Sequence, residues 1–401
     1  MTDLILKKGK ERSLLRRHPW VYDTAVQKLS GKAKSGDTVR IVSHDGRFLA
    51  WAAYSKDSAL RARCWSFDEN DHIDEAWIKE KIQKALKARE PLFARTSAVR
   101  VIFGEADQLP GLVVDRYGDW FVTQFQAAGV EAFRDTIADI LMTVPGIRGV
   151  FDRSDAATRH REGLELRVEL LRGEEPPQEI EVIEDGVRYG VDVRVGHKTG
   201  FYIDQRENRL LAQRLAKEFK QRTGRGMRAL NCFCYTGGFS LALLAGGADQ
   251  VISVDSSAEA LAMAARNTQR NGFDEKRTQW VQADVFEYLR QAREAGETFD
   301  LVILDPPKFA SSHRHIERAA RAYKDINLNG LRLVAPGGDL LTFSCSGAMD
   351  VDLFQKVIAG AVIDSKREAW MIARLGAGAD HPLMMTCPEG EYLKGLQLAL
   401  R

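Results

Sequence analysis

Residues 227–255, MRALNCFCYTGGFSLALLAGGADQVISVD, decide the fold. Met227 to Cys232 is an apolar run of strand type, Gly237-Gly238 a tight turn, Phe239 to Ala245 a helical run and Val251 to Asp255 a second strand. The alternation extends in both directions. Helices are expected near Gln205 to Thr223, Ala258 to Asn271, Val285 to Glu294 and Ile316 to Leu333. Strands are expected at Thr278 to Ala283, Leu301 to Asp305 and Asp339 to Ser344. Two further runs, Ala369 to Ala373 and Tyr392 to Leu400, suit an antiparallel edge. The fold class is α/β, a parallel sheet covered by helices on both faces.

Upstream the pattern differs. Residues 1 to about 75 read as short strands, and GDTVRIVSHDGRFLAWAAYS alternates apolar and polar residues around Asp45-Gly46, a hairpin signal that suggests a small β-barrel. A helix from Glu75 to Leu92, strands broken at Pro110-Gly111 and Gly118-Asp119, a helix from Val130 to Leu141 and a strand from Gly149 to Arg153 compose an α+β unit. The acidic, Pro-rich RGEEPPQ reads as a linker, and a hairpin then turns at Asp185-Gly186. The expected domains are 1–75, 76–178, a hairpin extension over 179–204, and 205–401.

At 401 residues the chain exceeds one ordinary core. Its 44% hydrophobic and 28% charged residues exclude a disordered chain, and apolar runs such as Leu241 to Ala245 or Val357 to Ile363 are too short to span a bilayer. MTDLILKKGKERSLLRRHPW has no apolar run followed by a small-residue cleavage site, so a cytoplasmic location is expected, with no membrane partner. The cysteines at 64, 232, 234, 345 and 387 have neither disulfide-framework nor metal-ligand spacing, and the eight histidines add none, so no metal is expected. Charge is uneven. The first 63 residues hold seven Lys and seven Arg against six acidic residues, a net +8, leaving −6 for the rest. A basic module on a mildly acidic body suggests nucleic acid as partner.

In an open parallel sheet, ligands bind beyond the carboxyl ends of the strands where strand order reverses. The turn LNCFCYTGGFS, with Asn231, Tyr235, Thr236, Gly237 and Gly238, is therefore the candidate cofactor loop. Asp255 ends the second strand, placed to accept both ribose hydroxyls of an adenosine, while Asp284 could accept from the adenine amino group and Phe286 cover its ring. Both acids could instead cap helices. No G-x-G-x-x-G cradle for a pyrophosphate is present, which suits S-adenosyl-L-methionine better than a dinucleotide.

The fourth strand ends in LVILDPPKF, resembling motif IV of nucleic-acid base methyltransferases, and the fifth ends in LLTFSCSGAMD. With these residues, LKKGKERSLLRRHPWVY, GHKTGFYIDQRENR, NCFCYTGGFS, VDSS and HPLMMTCPEGEYLKG complete a resemblance that covers essentially the whole chain. The sequence resembles the bacterial 23S rRNA (cytosine-5)-methyltransferases of the large-subunit methyltransferase I family. The resemblance implies an N-terminal β-barrel PUA domain, a central α+β domain with a hairpin extension, and a Rossmann-like class I methyltransferase domain. It makes Cys345 the nucleophile that adds to cytosine carbon 6, with Asp305 on the N3 edge. It also implies that Phe201 and Asp204 help close the cofactor pocket.

The expected RNA contacts are Lys7, Lys8, Lys10, Arg12, Arg16, Arg17, Lys198, Arg206, Pro306, Pro307 and Lys308. The partner is 23S rRNA or a large-subunit particle, with a homodimer left open. Many RNA cytosine-5 enzymes carry a second cysteine beside the motif IV proline; here Pro-Pro-Lys stands there, so product release must proceed differently. Two alternatives stay open: methylation of a ring or exocyclic nitrogen of another base, and a non-catalytic RNA-binding assembly factor.

Overall fold

The computed structural model describes residues 2–310 and 313–401. Two compact units emerge: Met1–Val182, Val191–Ile203 and Ala379–Gly390 form the first, and Ile183–Gly190, Asp204–Gly378 and Glu391–Arg401 the second.

The first unit holds two sheets. Asp3–Leu6, Trp20–Val21, Val26–Ser30, Thr38–Val42, Phe48–Tyr54 and Ala62–Ser66 form a six-stranded sheet, in which Thr38–Val42 and Phe48–Tyr54 are the expected hairpin. The turn works because Gly46 adopts φ +86°, a conformation costly for residues with a Cβ. Leu4, Leu6, Ile41 and Ala50 fill its interior. Ala98–Phe103, Leu112–Tyr117, Trp120–Phe125, Gly149–Asp152 and Glu169–Gly173 make a second sheet, covered by the helix Glu75–Arg89.

Three details differ from the sequence reading. The helix expected over Val130 to Leu141 is two, Ala128–Ala132 and Arg134–Met142, broken at Phe133, whose ring stands edge-on to Trp65. The strand Glu169–Gly173 was hidden in the presumed approach to the linker. Residues 379–390, expected in the catalytic domain, belong instead to the first unit. They are held there by specific contacts: the Asp380 carboxylate accepts the Arg100 N–H at 2.9 Å, and His381 packs on Phe103 at 5.1 Å.

The second unit carries a seven-stranded sheet in the order Thr278–Gln282, Gln250–Asp255, Arg228–Cys232, Phe299–Leu304, Val334–Ser344, Lys394–Leu400, Ala369–Gly376. The first five strands are parallel, and Lys394–Leu400 is antiparallel to both of its neighbours. Helices Arg206–Thr223, Gly238–Ala245, Ala258–Arg270, Val285–Glu294 and Ile316–Leu333 appear where periodicity placed them. A sixth, Val351–Ser365, was read only as an apolar run. The strands bury Leu230, Val254, Val302 and Leu340 completely or nearly so, as parallel strands covered on both faces must. Chain order runs outward from Arg228–Cys232 in one direction, then resumes at Phe299–Leu304 in the other, so strand order reverses between these two. Among the described residues no helix is long and apolar enough to cross a membrane.

In the first unit, Arg100 holds Asp115 bidentately at 2.7 Å, with the carboxylate fully buried. Removing one member of such a pair leaves the other charge uncompensated. Arg100→Met is expected to destabilise this unit by roughly 3–5 kcal/mol, read from the urea midpoint. A loss under about 1 kcal/mol would mean the carboxylate reaches water instead.

Candidate active site

The switch point gathers the candidate residues of the second unit. Cys232 pairs with Val254 on one side and Leu304 on the other, so the segments after these strands leave the sheet at one edge.

The turn after Arg228–Cys232 has an unusual backbone. Phe233, Tyr235 and Gly237 all take positive φ, at 59°, 47° and 81°. Left-handed conformations are costly for side-chain-bearing residues and persist where surrounding contacts enforce them. The enforcing contact is Asp255. Its Oδ2 accepts the Tyr235 N–H at 2.8 Å and its Oδ1 the Ser257 N–H at 2.9 Å, tying the turn to the end of the next strand. A Cβ on Gly237 would meet the Trp280 ring at 2.9 Å, and one on Gly238 would meet Arg209 Cδ at 3.1 Å. Below, buried Asn231 donates to Ser240 Oγ at 2.8 Å, while its Oδ1 accepts no hydrogen bond among the described residues. Buried Thr236 is fixed through its carbonyl, which accepts from Asn267 at 3.3 Å.

This geometry fits S-adenosylmethionine. The Gly-Gly backbone admits close approach, and each Asp255 oxygen retains a lone pair for a ribose hydroxyl after binding its single N–H. Asp284 is an N-cap, accepting the Glu287 N–H at 3.0 Å, so part of its acceptor capacity serves the helix. Phe286 packs on Phe309 at 5.8 Å, and Phe309 on Tyr323 at 4.9 Å. An aromatic row therefore joins the third strand's loop to the Asp305-Pro306-Pro307-Lys308 segment. Asp204 is buried, its Oδ2 accepting the Tyr392 hydroxyl at 2.6 Å. Phe201 is buried within the first unit.

The fourth and fifth strands bring their loops together. Cys345 is half-buried, with Sγ 3.9 Å from the Pro306 carbonyl oxygen, while Cys64, Cys232, Cys234 and Cys387 are buried. Burial pushes the Cys232 thiol up, and burial, then Glu105 and Glu389, pushes Cys387 up to about 12. The serines flanking Cys345 are pinned: Ser344 Oγ and Ser346 Oγ lie 2.9 and 3.1 Å from the Tyr323 hydroxyl, and Ser346 Oγ accepts the Ala310 N–H at 3.2 Å. Asp305 is half-buried, and Gln205 Nε2 donates to its Oδ1 at 2.9 Å. Pro306 is buried; Pro307 and Lys308 are exposed.

Gln205, Tyr323 and Lys394 were not singled out from sequence. Gln205 and Lys394 sit inside quoted motifs, but a bond spanning 100 positions leaves no spacing signal.

One expected RNA contact is overturned. Arg206 is fully buried, its Nε 3.5 Å from Glu184, because the first turn of its helix faces the core and shares that carboxylate with Arg209. The six N-terminal cations, Lys7 to Arg17, are exposed. Lys198 is half-buried in the first unit, its ammonium 4.5 Å from the Tyr202 ring centroid.

The chain is similar to known proteins. The family model for S-adenosylmethionine-dependent methyltransferases matches residues 104–363, and that for a PUA-like domain matches residues 4–67. Among curated proteins, "Ribosomal RNA large subunit methyltransferase I" of Klebsiella pneumoniae (strain 342) is 46% identical, covering 98% of this chain and 96% of its own. The protein of that name from Shigella boydii serotype 4 (strain Sb227) is also 46% identical, covering 98% of each. A solved structure described as "A putative sam-dependent methyltransferase from Streptococcus mutans" shares the fold over the full length of both chains, with TM-score 0.82 and 24% identity. Another, SMU.776 complexed with SAH, superposes with TM-score 0.84, also at 24% identity over both full chains.

Asp255→Ala removes the acceptor for the Tyr235 N–H and both proposed ribose contacts. S-adenosylhomocysteine affinity, measured by calorimetry, should fall by about 10–100-fold, as expected for hydrogen bonds to a charged group. Undiminished affinity would place the adenosine elsewhere. On the strength of its two family models and its full-length relatives, this chain belongs to the S-adenosylmethionine-dependent methyltransferases, in the family of ribosomal RNA large subunit methyltransferase I.

Proposed function

We propose that this protein methylates carbon 5 of a cytosine in large-subunit ribosomal RNA through a covalent cysteine adduct. The observation that carries the reading is the half-buried Cys345 thiol 3.9 Å from the Pro306 carbonyl, next to Asp305. The ribosomal substrate rests on the names of the full-length relatives.

Carbon 5 of cytosine is a poor nucleophile. The Cys345 thiolate adds to carbon 6 as N3 takes a proton, and the Asp305 carboxylate favours that protonation by accepting a hydrogen bond from the resulting N3–H. Gln205 donates to one Asp305 oxygen and so orients the carboxylate. S-adenosylmethionine, held by Asp255 and the Asn231 to Gly238 turn, supplies an electrophilic methyl group on its sulfonium. Carbon 5 of the enamine would take that methyl, releasing S-adenosylhomocysteine; water then accepts the carbon 5 proton as the carbon–sulfur bond breaks and Cys345 leaves as thiolate. Lys308, exposed beside the prolines, contacts a phosphate.

The exposed cations from Lys7 to Arg17 track the RNA backbone and displace its counterions, a gain that shrinks as salt concentration rises. Lys198 adds a contact from the first unit. The target base must leave its stack, at roughly a few kcal/mol, and the PUA-like region supplies affinity that offsets this.

The test is transfer of tritiated methyl to total ribosomal RNA from cells lacking this protein, followed by nucleoside analysis. Label should appear in 5-methylcytidine and vanish with Cys345→Ala. Label in another nucleoside, or activity surviving the substitution, would establish nitrogen methylation and leave Cys345 a packing residue. Binding without any transfer would support an assembly factor.

A further inference from the structure

Lys394 is buried to 5% exposure at the start of the C-terminal strand Lys394–Leu400, an unusual place for an ammonium. Among the described residues no ion pair within 4.0 Å engages it. Instead its Nζ donates to the carbonyl oxygens of Ser346 at 2.9 Å and Met349 at 2.6 Å. Both carbonyls belong to the turn that follows Cys345 and precedes the helix Val351–Ser365. Ser346 is simultaneously tied to Tyr323 and Ala310. The clamp is costly to keep, because desolvation disfavours the charged form.

We propose that Lys394 is a positioning residue for the Cys345 nucleophile, fixing its loop through two carbonyls and anchoring a positive charge on that loop. The inference rests on the covalent reading above and deepens it. A buried apolar residue would fill the same space without bridging two carbonyls. An ammonium does both, and a cation near a cysteine favours the thiolate that must attack carbon 6. Burial lowers the Lys394 pKa on balance, with Lys308 acting in the same direction, while Glu391, Cys345 and Asp350 partly offset this.

The test reads the thiol itself, independently of the base methylated. The pH dependence of iodoacetamide alkylation at Cys345 is followed by peptide mass spectrometry in full-length wild type, Lys394→Met and Lys394→Arg, the four buried thiols serving as internal references. S-adenosylhomocysteine affinity and circular dichroism report folding. With Met the alkylation midpoint should move up, slowing reaction at neutral pH roughly tenfold; Arg, which keeps the charge, should restore most of it. A Met variant that folds with an unchanged midpoint overturns the proposal, as does an Arg variant that folds but shifts as far as Met. If neither variant folds, Lys394 is a structural lysine and the proposal fails. Cys345→Ala activity tests the covalent reading separately: if methylation survives that change while Met still shifts the midpoint, the cytosine-5 reading fails and the charge effect stands.

Discussion

Parallel pairing is the constraint on which the site depends. Strands in parallel register all end on the same edge of the sheet, so residues far apart in sequence become neighbours without any direct bond between them. Asp255, Asp305 and Cys345 each stand one position beyond the last residue, or at the last, of a parallel strand. The reversal of strand order beside Arg228–Cys232 opens the crevice where the cofactor turn lies. Register, rather than sequence proximity, therefore brings Asp255, Asp305 and Cys345 to one edge of the sheet.

The edge alone does not hold these groups still. Asp255 locks a turn with left-handed residues by accepting two backbone N–H groups. Tyr323 ties the serines on both sides of Cys345 to one hydroxyl, and Lys394 gathers the carbonyls that follow. Gln205 orients Asp305 and is itself hydrogen-bonded by Asn208 at 2.6 Å, which in turn donates to the Gly376 carbonyl at 3.0 Å. The site is thus braced from the entry helix, the long helix before the fifth strand and the antiparallel edge. Preorganisation of this kind lets charge develop without reorganising the surroundings.

Elements whose period speaks for itself were legible in the sequence: the helix-strand alternation of 205–344, the Asp45-Gly46 hairpin and the Asp185-Gly186 turn, where φ values of 47° and 83° match a two-residue hairpin. Asp255 and Cys345 were legible because strand ends can be located from apolar runs. What stayed hidden lacks a local signature. Val351–Ser365 looks like an apolar run, and no Gly or Pro marks the break at Phe133. Arg206 read as an RNA contact because its burial depends on Glu184 in another element. The return of 379–390 to the first unit depends on Asp380 meeting a backbone N–H 280 positions away.

The central claim is that Cys345 forms a bond to the base being methylated. The most direct test is a large-subunit rRNA fragment carrying 5-fluorocytidine, incubated with the protein and S-adenosylmethionine. After methyl transfer the fluorine cannot leave as the proton does, so the carbon–sulfur bond persists. A stable protein–RNA complex, with the cross-link mapped to Cys345 and absent in Cys345→Ala, is the predicted result. Turnover of normal RNA with no complex on the fluorinated fragment, or a cross-link at another residue, would contradict the account.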